Sequence, residues 1–166
     1  MTTLSRRTTL GLIASSLAAP ALAQTDYPNR PVTVIVPQAA GGANDIIGRL
    51  VSEKLSEVLG QRFVVENRAG AGGNLGSQAA ARATPDGYTL LVTISASQAI
   101  NPALYARTGF DPVKDFAPIS MLGTVPNVLV VHPAFEAKSV ADLIRMAREK
   151  PGFYHYASAG NGTLNH

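Results

Sequence analysis

The chain has 166 residues, 46% of them hydrophobic and 15% charged, which is enough for one domain with a sizeable core and too apolar for a disordered chain. The formal charge of +3 shrinks to 12 basic against 11 acidic residues once Arg6 and Arg7 are set aside with the leader described next, so the charge gives no footprint for nucleic acid. Cysteine is absent, which excludes a disulfide scaffold, a thiolate nucleophile, a cysteine-ligated zinc site and a lipid anchor on cysteine.

Residues 1–24 read as a cleaved signal peptide. Arg6-Arg7 form a basic start, an apolar run follows over 10–22, and Ala21-Leu22-Ala23 supplies an A-x-A cleavage pattern before Gln24. The run is too short and too rich in Ala and Ser to span a membrane. Ser5-Arg6-Arg7-Thr8-Thr9-Leu10 is similar to a twin-arginine signal with Thr9 at the usual Phe position, so both the general secretory and twin-arginine routes stay open.

Residues 32–36, VTVIV, are β-branched and short, as expected of a strand covered on both faces. Pro37 ends the strand. Asn44 or Asp45 is the expected N-cap of a helix whose apolar face is Ile47, Leu50, Val51, Leu55, Val58 and Leu59, with Gly60 as its terminator. A second strand at 63–65 runs into a glycine-rich loop and a small-residue helix over 75–83. Pro85-Asp86-Gly87 is a turn, and 88–93 is a third strand. Strand–helix–strand–helix–strand with short links is the pattern of a doubly wound α/β sheet.

Beyond this the pattern loosens. A short helix is expected over 101–105, strands at 119–122 and 128–131, and a helix over 140–150 capped by Ser139, with Leu143, Ile144 and Ala147 on its inner face. The seam between two units is expected near 123–127. A last strand at 154–157 leads into Ser158-Ala159-Gly160-Asn161-Gly162-Thr163, where Thr163 reads as an N-cap. The sequence stops at His166 as that helix begins. A helix cut after one turn cannot bury a face, so a longer chain is expected.

Three loops therefore share one design: strand, small polar turn, helix start. The first (38–42), the second (70–74) and the third (158–163) all leave strand C-termini, where open α/β sheets bind ligands. Helix starts there present unpaired N–H groups to an anion. The second loop is a poor dinucleotide fingerprint, because Leu75 stands where a glycine is required and Asp86 comes too early for the ribose acid. No Gly-Lys-Ser/Thr occurs, and neither a G-x-S-x-G elbow nor H-E-x-x-H is present. His132, His155 and His166 have no metal-ligand spacing. Ser158 and His166 lie close enough to raise a hydrolase as an alternative, without an acid to orient the base. Glu66 and Arg68, beside Asn67, read as a buried ion pair anchoring the second loop in preference to a catalytic cluster.

Six motifs in order carry a family resemblance: Pro37-x-x-x-Gly41-Gly42-x-x-Asp45, Val65-Glu66-Asn67-Arg68-x-Gly70-Ala71-Gly72-Gly73-Asn74, Pro85-Asp86-Gly87-Tyr88-Thr89-Leu90, Asn101-Pro102-x-Leu104-Tyr105, Asp115-Phe116-x-Pro118 and Tyr156-Ala157-Ser158-x-Gly160-Asn161-Gly162-Thr163. From about Tyr27 to His166 the chain resembles a Bug-type receptor, the extracytoplasmic solute-binding protein of tripartite tricarboxylate transporters. The resemblance implies an α/β fold like that of type II periplasmic binding proteins, with a first lobe over 25–125 and an incomplete second lobe over 126–166. It implies a periplasmic monomer that captures a small organic acid and hands it to membrane permease subunits, with no catalytic residue, cofactor, metal or nucleic acid. A sensor that presents its ligand to a signalling partner is a further alternative.

The resemblance also implies the ligand contacts. Ala40, Gly41 and Gly42, with Asp45 nearby, belong to the first loop. Ser95 and Ser97 follow the third strand, and Ser158, Asn161 and Thr163 come from the other lobe. Gln38 stands at the rim where the family often has an aromatic residue, and Gln98 where a histidine is common. Both departures imply a more polar rim.

Overall fold

A computed structural model describes residues 27–166. The expected signal peptide lies outside the described residues. The first strand, β1 (Val32–Val36), is central, and its Val32, Val34, Ile35 and Val36 are buried. β2 (Phe63–Asn67) and β3 (Thr89–Leu91) flank it, and both pair with it in parallel, giving the order β2-β1-β3. Val34 sits level with Val65 on one side and Leu90 on the other. A central parallel strand is covered on both faces, which is why β-branched residues fill it and only Thr33 among them is polar.

α1 (Ala43–Leu59) connects β1 to β2, and α2 (Asn74–Ala81) connects β2 to β3. The chain steps outward to β2 and then back across β1. Right-handed crossovers in opposite directions put α1 and α2 on opposite faces of the sheet. That reversal makes the C-terminal ends of β1 and β3 a topological switch point, where the first loop and the exit from β3 lie side by side.

The N-cap of α1 is Gly42, not Asn44 or Asp45, which occupy its second and third positions. It ends at Gly60 as expected, in the left-handed conformation with φ 68° and its N–H donated to Ser56 O. Its buried residues are Asp45, Gly48 and Ser52. Of the expected face, Leu50 is 61% exposed and Val58 69%. The helix lies so close to the sheet that a Cβ at Gly48 would come within 3.1 Å of Val36 Cγ2, and small residues line the contact. Val32, Val34 and Phe63 form the core, with Leu55, Val65, Tyr88, Leu90 and Val92 packed around them.

After β3 comes a π-helical turn (Ala96–Ile100) that runs directly into the short α3 (Asn101–Leu104). α4 (Val140–Glu149) starts where expected. Ser139 accepts the Asp142 N–H at 3.1 Å and donates its hydroxyl to the Asp142 carboxylate at 2.7 Å, a reciprocal cap. Its buried residue is Met146, while Ile144 is exposed.

The strands expected at 119–122, 128–131 and 154–157 are not formed. These segments have no ladder among the described residues, and Val128 and Val130 are almost 80% exposed. Their β-branched composition favours a strand, but a strand needs a partner to pair its backbone. Residues 163–166 form turns rather than a helix. The Glu66–Arg68 pair forms, at 2.8 Å, but lies on the surface and is not buried.

Candidate functional site

Pro37 closes β1, and the first loop turns through Gly41 at φ 84°, a conformation glycine adopts at no steric cost. Ala40, Gly41 and Gly42 are exposed at the head of α1. The Gly41 N–H does not face outward. It donates to Asp45 Oδ2 at 2.8 Å, so the third residue of the helix folds back onto the loop before it.

Asp45 is buried and fully engaged. Oδ2 also accepts from Arg49 Nε at 3.0 Å, and Oδ1 accepts from Asn67 Nδ2 at 2.9 Å. The Arg49 hydrogen bond, then the Gly41 N–H, then Asn67 lower its pKa from 3.8 to about 2. Asp45 is thus an anion already satisfied by its own surroundings. It shapes the first loop by holding the Gly41 N–H. Asn67 also donates to Gln38 O at 3.2 Å and accepts from Arg49 at 2.9 Å, which ties the end of β2 to the same loop.

The Gln38 side chain bridges the switch point. Its Oε1 accepts from Asn44 Nδ2, and its Nε2 lies 3.5 Å from Ser97 Oγ. Asn44 donates as well to Val92 O, at the end of β3, at 2.8 Å. Ser97 is fully buried, and its hydroxyl donates to Gly72 O at 2.9 Å. Gly73 lies under both: a Cβ there would be 2.4 Å from Ser97 Oγ and 2.8 Å from Gln38 Nε2. The first loop, the second loop and the β3 exit are therefore one contiguous group of amides and hydroxyls. Ser95, by contrast, is exposed at the start of the π-helical turn. Gln98 Nε2 is within 3.3 Å of the buried Ser77 hydroxyl.

The third loop joins this group through the second. Tyr105 donates its hydroxyl to Asn161 O at 3.0 Å, and Gly162 is buried against Asn101 and Tyr105. Ser158 and Thr163 are half-buried, and Asn161 is exposed. Ser158 Oγ stands 3.0 Å from His166 Nδ1, the proximity expected from sequence. Among the described residues no carboxylate is hydrogen-bonded to His166, so the pair has no orienting acid. No group of three potential metal-ligating side chains occurs among the described residues. A groove along α4, lined by Ala141, Ile144, Arg145, Arg148 and Glu149, lies on a single helix away from the switch point.

The sequence named four asparagines of this region without showing their partners: Asn44 as a candidate N-cap, and Asn67, Asn74 and Asn101 within the family motifs. Asn101 read as part of a short helix, although its place before Pro102 at a helix start was a signal.

The chain matches the profile of the "Tripartite tricarboxylate transporter family receptor" over residues 47–166. It is 38% identical over 156 residues to BugT of Bordetella pertussis, covering 93% of this chain and 48% of BugT. It is 42% identical over 140 residues to a Pseudomonas protein encoded between tcbD and tcbE, covering 84% of this chain and 41% of that one. The chain thus spans about half the length of the curated relatives it matches. Among solved structures, R. palustris Rpa4515 with adipate superposes with a TM-score of 0.78 at 39% identity, over 82% of this chain and 46% of that one. The periplasmic binding protein BugD gives 0.68 at 34% identity over 83% and 46%. MatC from Rhodopseudomonas palustris with bound malate gives 0.56 at 41% identity over 58% and 33%.

Proposed function

Because the chain belongs to the tripartite tricarboxylate transporter receptor family, we propose that it serves as a periplasmic solute-binding protein for a small carboxylated metabolite, which it delivers to membrane permease subunits. The carrying observation is the switch point. There the exposed backbone of Ala40, Gly41 and Gly42 sits at the head of α1, backed by the uncharged side chains of Gln38, Asn44 and Ser97. Backbone N–H groups at a helix start favour a carboxylate without a cationic clamp. The neighbours solved with adipate and malate support the same ligand class.

In this reading the N–H groups of Ala40 and Gly42 contact the ligand carboxylate. Gly41 gives the loop its turn, and Asp45 acts behind the loop. Ser95 reaches the ligand from the β3 exit, and Ser97 and Gln38 hold that wall in place. Ser158, Asn161 and Thr163 approach from a second lobe that begins near residue 126. Two lobes that close around a ligand bind by stabilising the closed conformer, so affinity depends on contacts made only when closed. The protein acts as a monomer, has no catalytic step, and is exported by its N-terminal signal.

Isothermal calorimetry of the full-length protein against adipate, malate, succinate, citrate and a neutral diamide control tests this. At least one acid binds in the micromolar range and the diamide does not. Absence of binding by every acid, or their chemical turnover, overturns the proposal.

A further inference from the structure

We propose that Asn101 and Tyr105 are positioning residues that seat the third loop on the second and hold it there while a ligand is bound. The inference rests on the receptor reading above and goes beyond it by naming what holds the closed arrangement.

Asn101 is fully buried at the start of α3. Its Nδ2 donates to Gly72 O at 3.0 Å and to Asn74 Oδ1 at 2.9 Å. With Ser97 donating to the same Gly72 carbonyl, the second loop is fixed from one side. The other end of the amide is different. Asn101 Oδ1 is buried and has no donor. A buried amide oxygen without a donor is costly and uncommon, and calls for a specific explanation.

The residue against that oxygen is Gly162. A Cβ at Gly162 would lie 2.6 Å from Asn101 Oδ1 and 2.9 Å from the Tyr105 ring. On the facing side, a Cβ at Gly72 would lie 3.0 Å from Asn161 O. Two loops some ninety positions apart in sequence thus meet backbone to backbone, at glycines with φ 65° and 80°. Tyr105 completes the seat by donating to Asn161 O. Tyr105 thus tethers the loop, while Asn101 Oδ1 has no donor. The donor that fills it is the Gly162 N–H, which a small settling of the third loop in the ligand-bound form brings onto Oδ1. Seating this loop sets where Ser158, Asn161 and Thr163 stand, so Asn101 and Tyr105 act on ligand binding without touching ligand.

The test uses the full-length protein with adipate and malate as probes, reading association and dissociation rates by stopped flow. Tyr105→Phe removes one neutral hydrogen bond. It raises the dissociation rate about 2- to 10-fold while the association rate stays within about two-fold. The melting temperature of its ligand-free form stays within about 2 °C of wild type. Gly162→Ala fills the seat and raises the dissociation rate further. Amide exchange at Gly162 slows when either probe binds wild type, and does not slow in Asn101→Ala. If Gly162→Ala or Asn101→Ala does not fold, Tyr105→Phe and wild-type Gly162 exchange decide alone. Unchanged dissociation in Tyr105→Phe, or Gly162 exchange indifferent to ligand, overturns this inference and leaves the receptor reading standing. If wild type binds no acid of the calorimetric panel, the receptor reading falls and this inference falls with it.

Discussion

Asn67 donates to Asp45 across 2.9 Å, and through that bond the last residue of β2 grips the first turn of α1. The same amide nitrogen reaches Gln38 O, and its oxygen takes a hydrogen from Arg49. Asn67→Ala strips three partners at once from a part-buried network. Leaving such groups unpaired costs about 1–3 kcal/mol, which urea unfolding measures as a lower midpoint at unchanged slope. An unchanged midpoint would mean that water replaces the amide freely and that the loop is not held from β2.

The same network fixes an acid dependence. In the folded protein Asp45 titrates at about 2, against 3.8 for an unconstrained carboxyl. A depressed folded value means that the stabilisation is present above the unfolded value and is lost as pH falls through the folded one. The window therefore runs from about 3.8 down to about 2. Asp111 and Asp142 are lowered in the same direction, by the N–H groups of Val113 and Lys114 and by the Ser139 hydroxyl. To isolate Asp45, melting temperatures of wild type and Asp45→Asn are compared across pH. Their gap is constant above about pH 5 and closes as pH falls through that window. A gap that persists unchanged to the lowest pH contradicts the assignment.

The order β1-α1-β2-α2-β3 was legible because each element carries its own signal. The central parallel strand is β-branched throughout, and glycine marks the end of α1. The contact face of α1 was legible in part, since Leu55 packs against the core as expected. Hydropathy pointed to Leu50 and Val58, whereas the helix approaches the sheet along Asp45, Gly48 and Ser52. Close packing selects for small volume at the contact, and an apolar count does not see volume. The segments at 119–122, 128–131 and 154–157 failed for another reason. Their composition reports how a residue would fit a sheet, but a ladder is a property of two segments, and none pairs with them among the described residues.

Gly76 separates helix propensity from packing. It lies inside α2, where replacing glycine by alanine on propensity alone gains about 1 kcal/mol. A Cβ there would stand 2.6 Å from Pro37 Cβ and 2.7 Å from Arg68 O. Backbone on one side and a proline ring on the other leave it no room, and overpacking of this kind costs about 1–3 kcal/mol. Packing exceeds propensity, so Gly76→Ala destabilises. A stabilised variant would show that α2 can lift off Pro37, and that the first and second loops are not braced against each other.

At the candidate site the glycines were legible and the amides were not. Gly41 and the run 70–73 announce tight turns by their type alone. Asn67, Asn74 and Asn101 resemble ordinary turn residues until their partners are known, and Asn101 bonds Gly72 across 29 positions. A hydrogen bond of that span leaves no trace in local pattern. Ser97 was legible only through the family resemblance, as an implied ligand contact; its burial and the donation of its hydroxyl to Gly72 O were not.

Gln38 is the position at which specificity is expected to turn. Its amide joins Asn44 of the first helical turn to Ser97 of the β3 exit, so it braces the switch point. Gln38→Ala removes one good hydrogen bond and one long one. Carboxylate affinity of the full-length protein falls about 2- to 10-fold by calorimetry. Gln38→Phe is the sharper experiment, because it restores an apolar face at the rim. Each buried methylene is worth about 0.8 kcal/mol, so acids with longer unsubstituted chains gain on hydroxylated ones. The quantity to read is the ratio of adipate to malate affinity, since stability losses in the protein cancel from it. The ratio rises in Gln38→Phe relative to wild type. If both affinities fall by the same factor and the ratio stays fixed, Gln38 holds the loop without facing the ligand, and specificity is set elsewhere in the cleft.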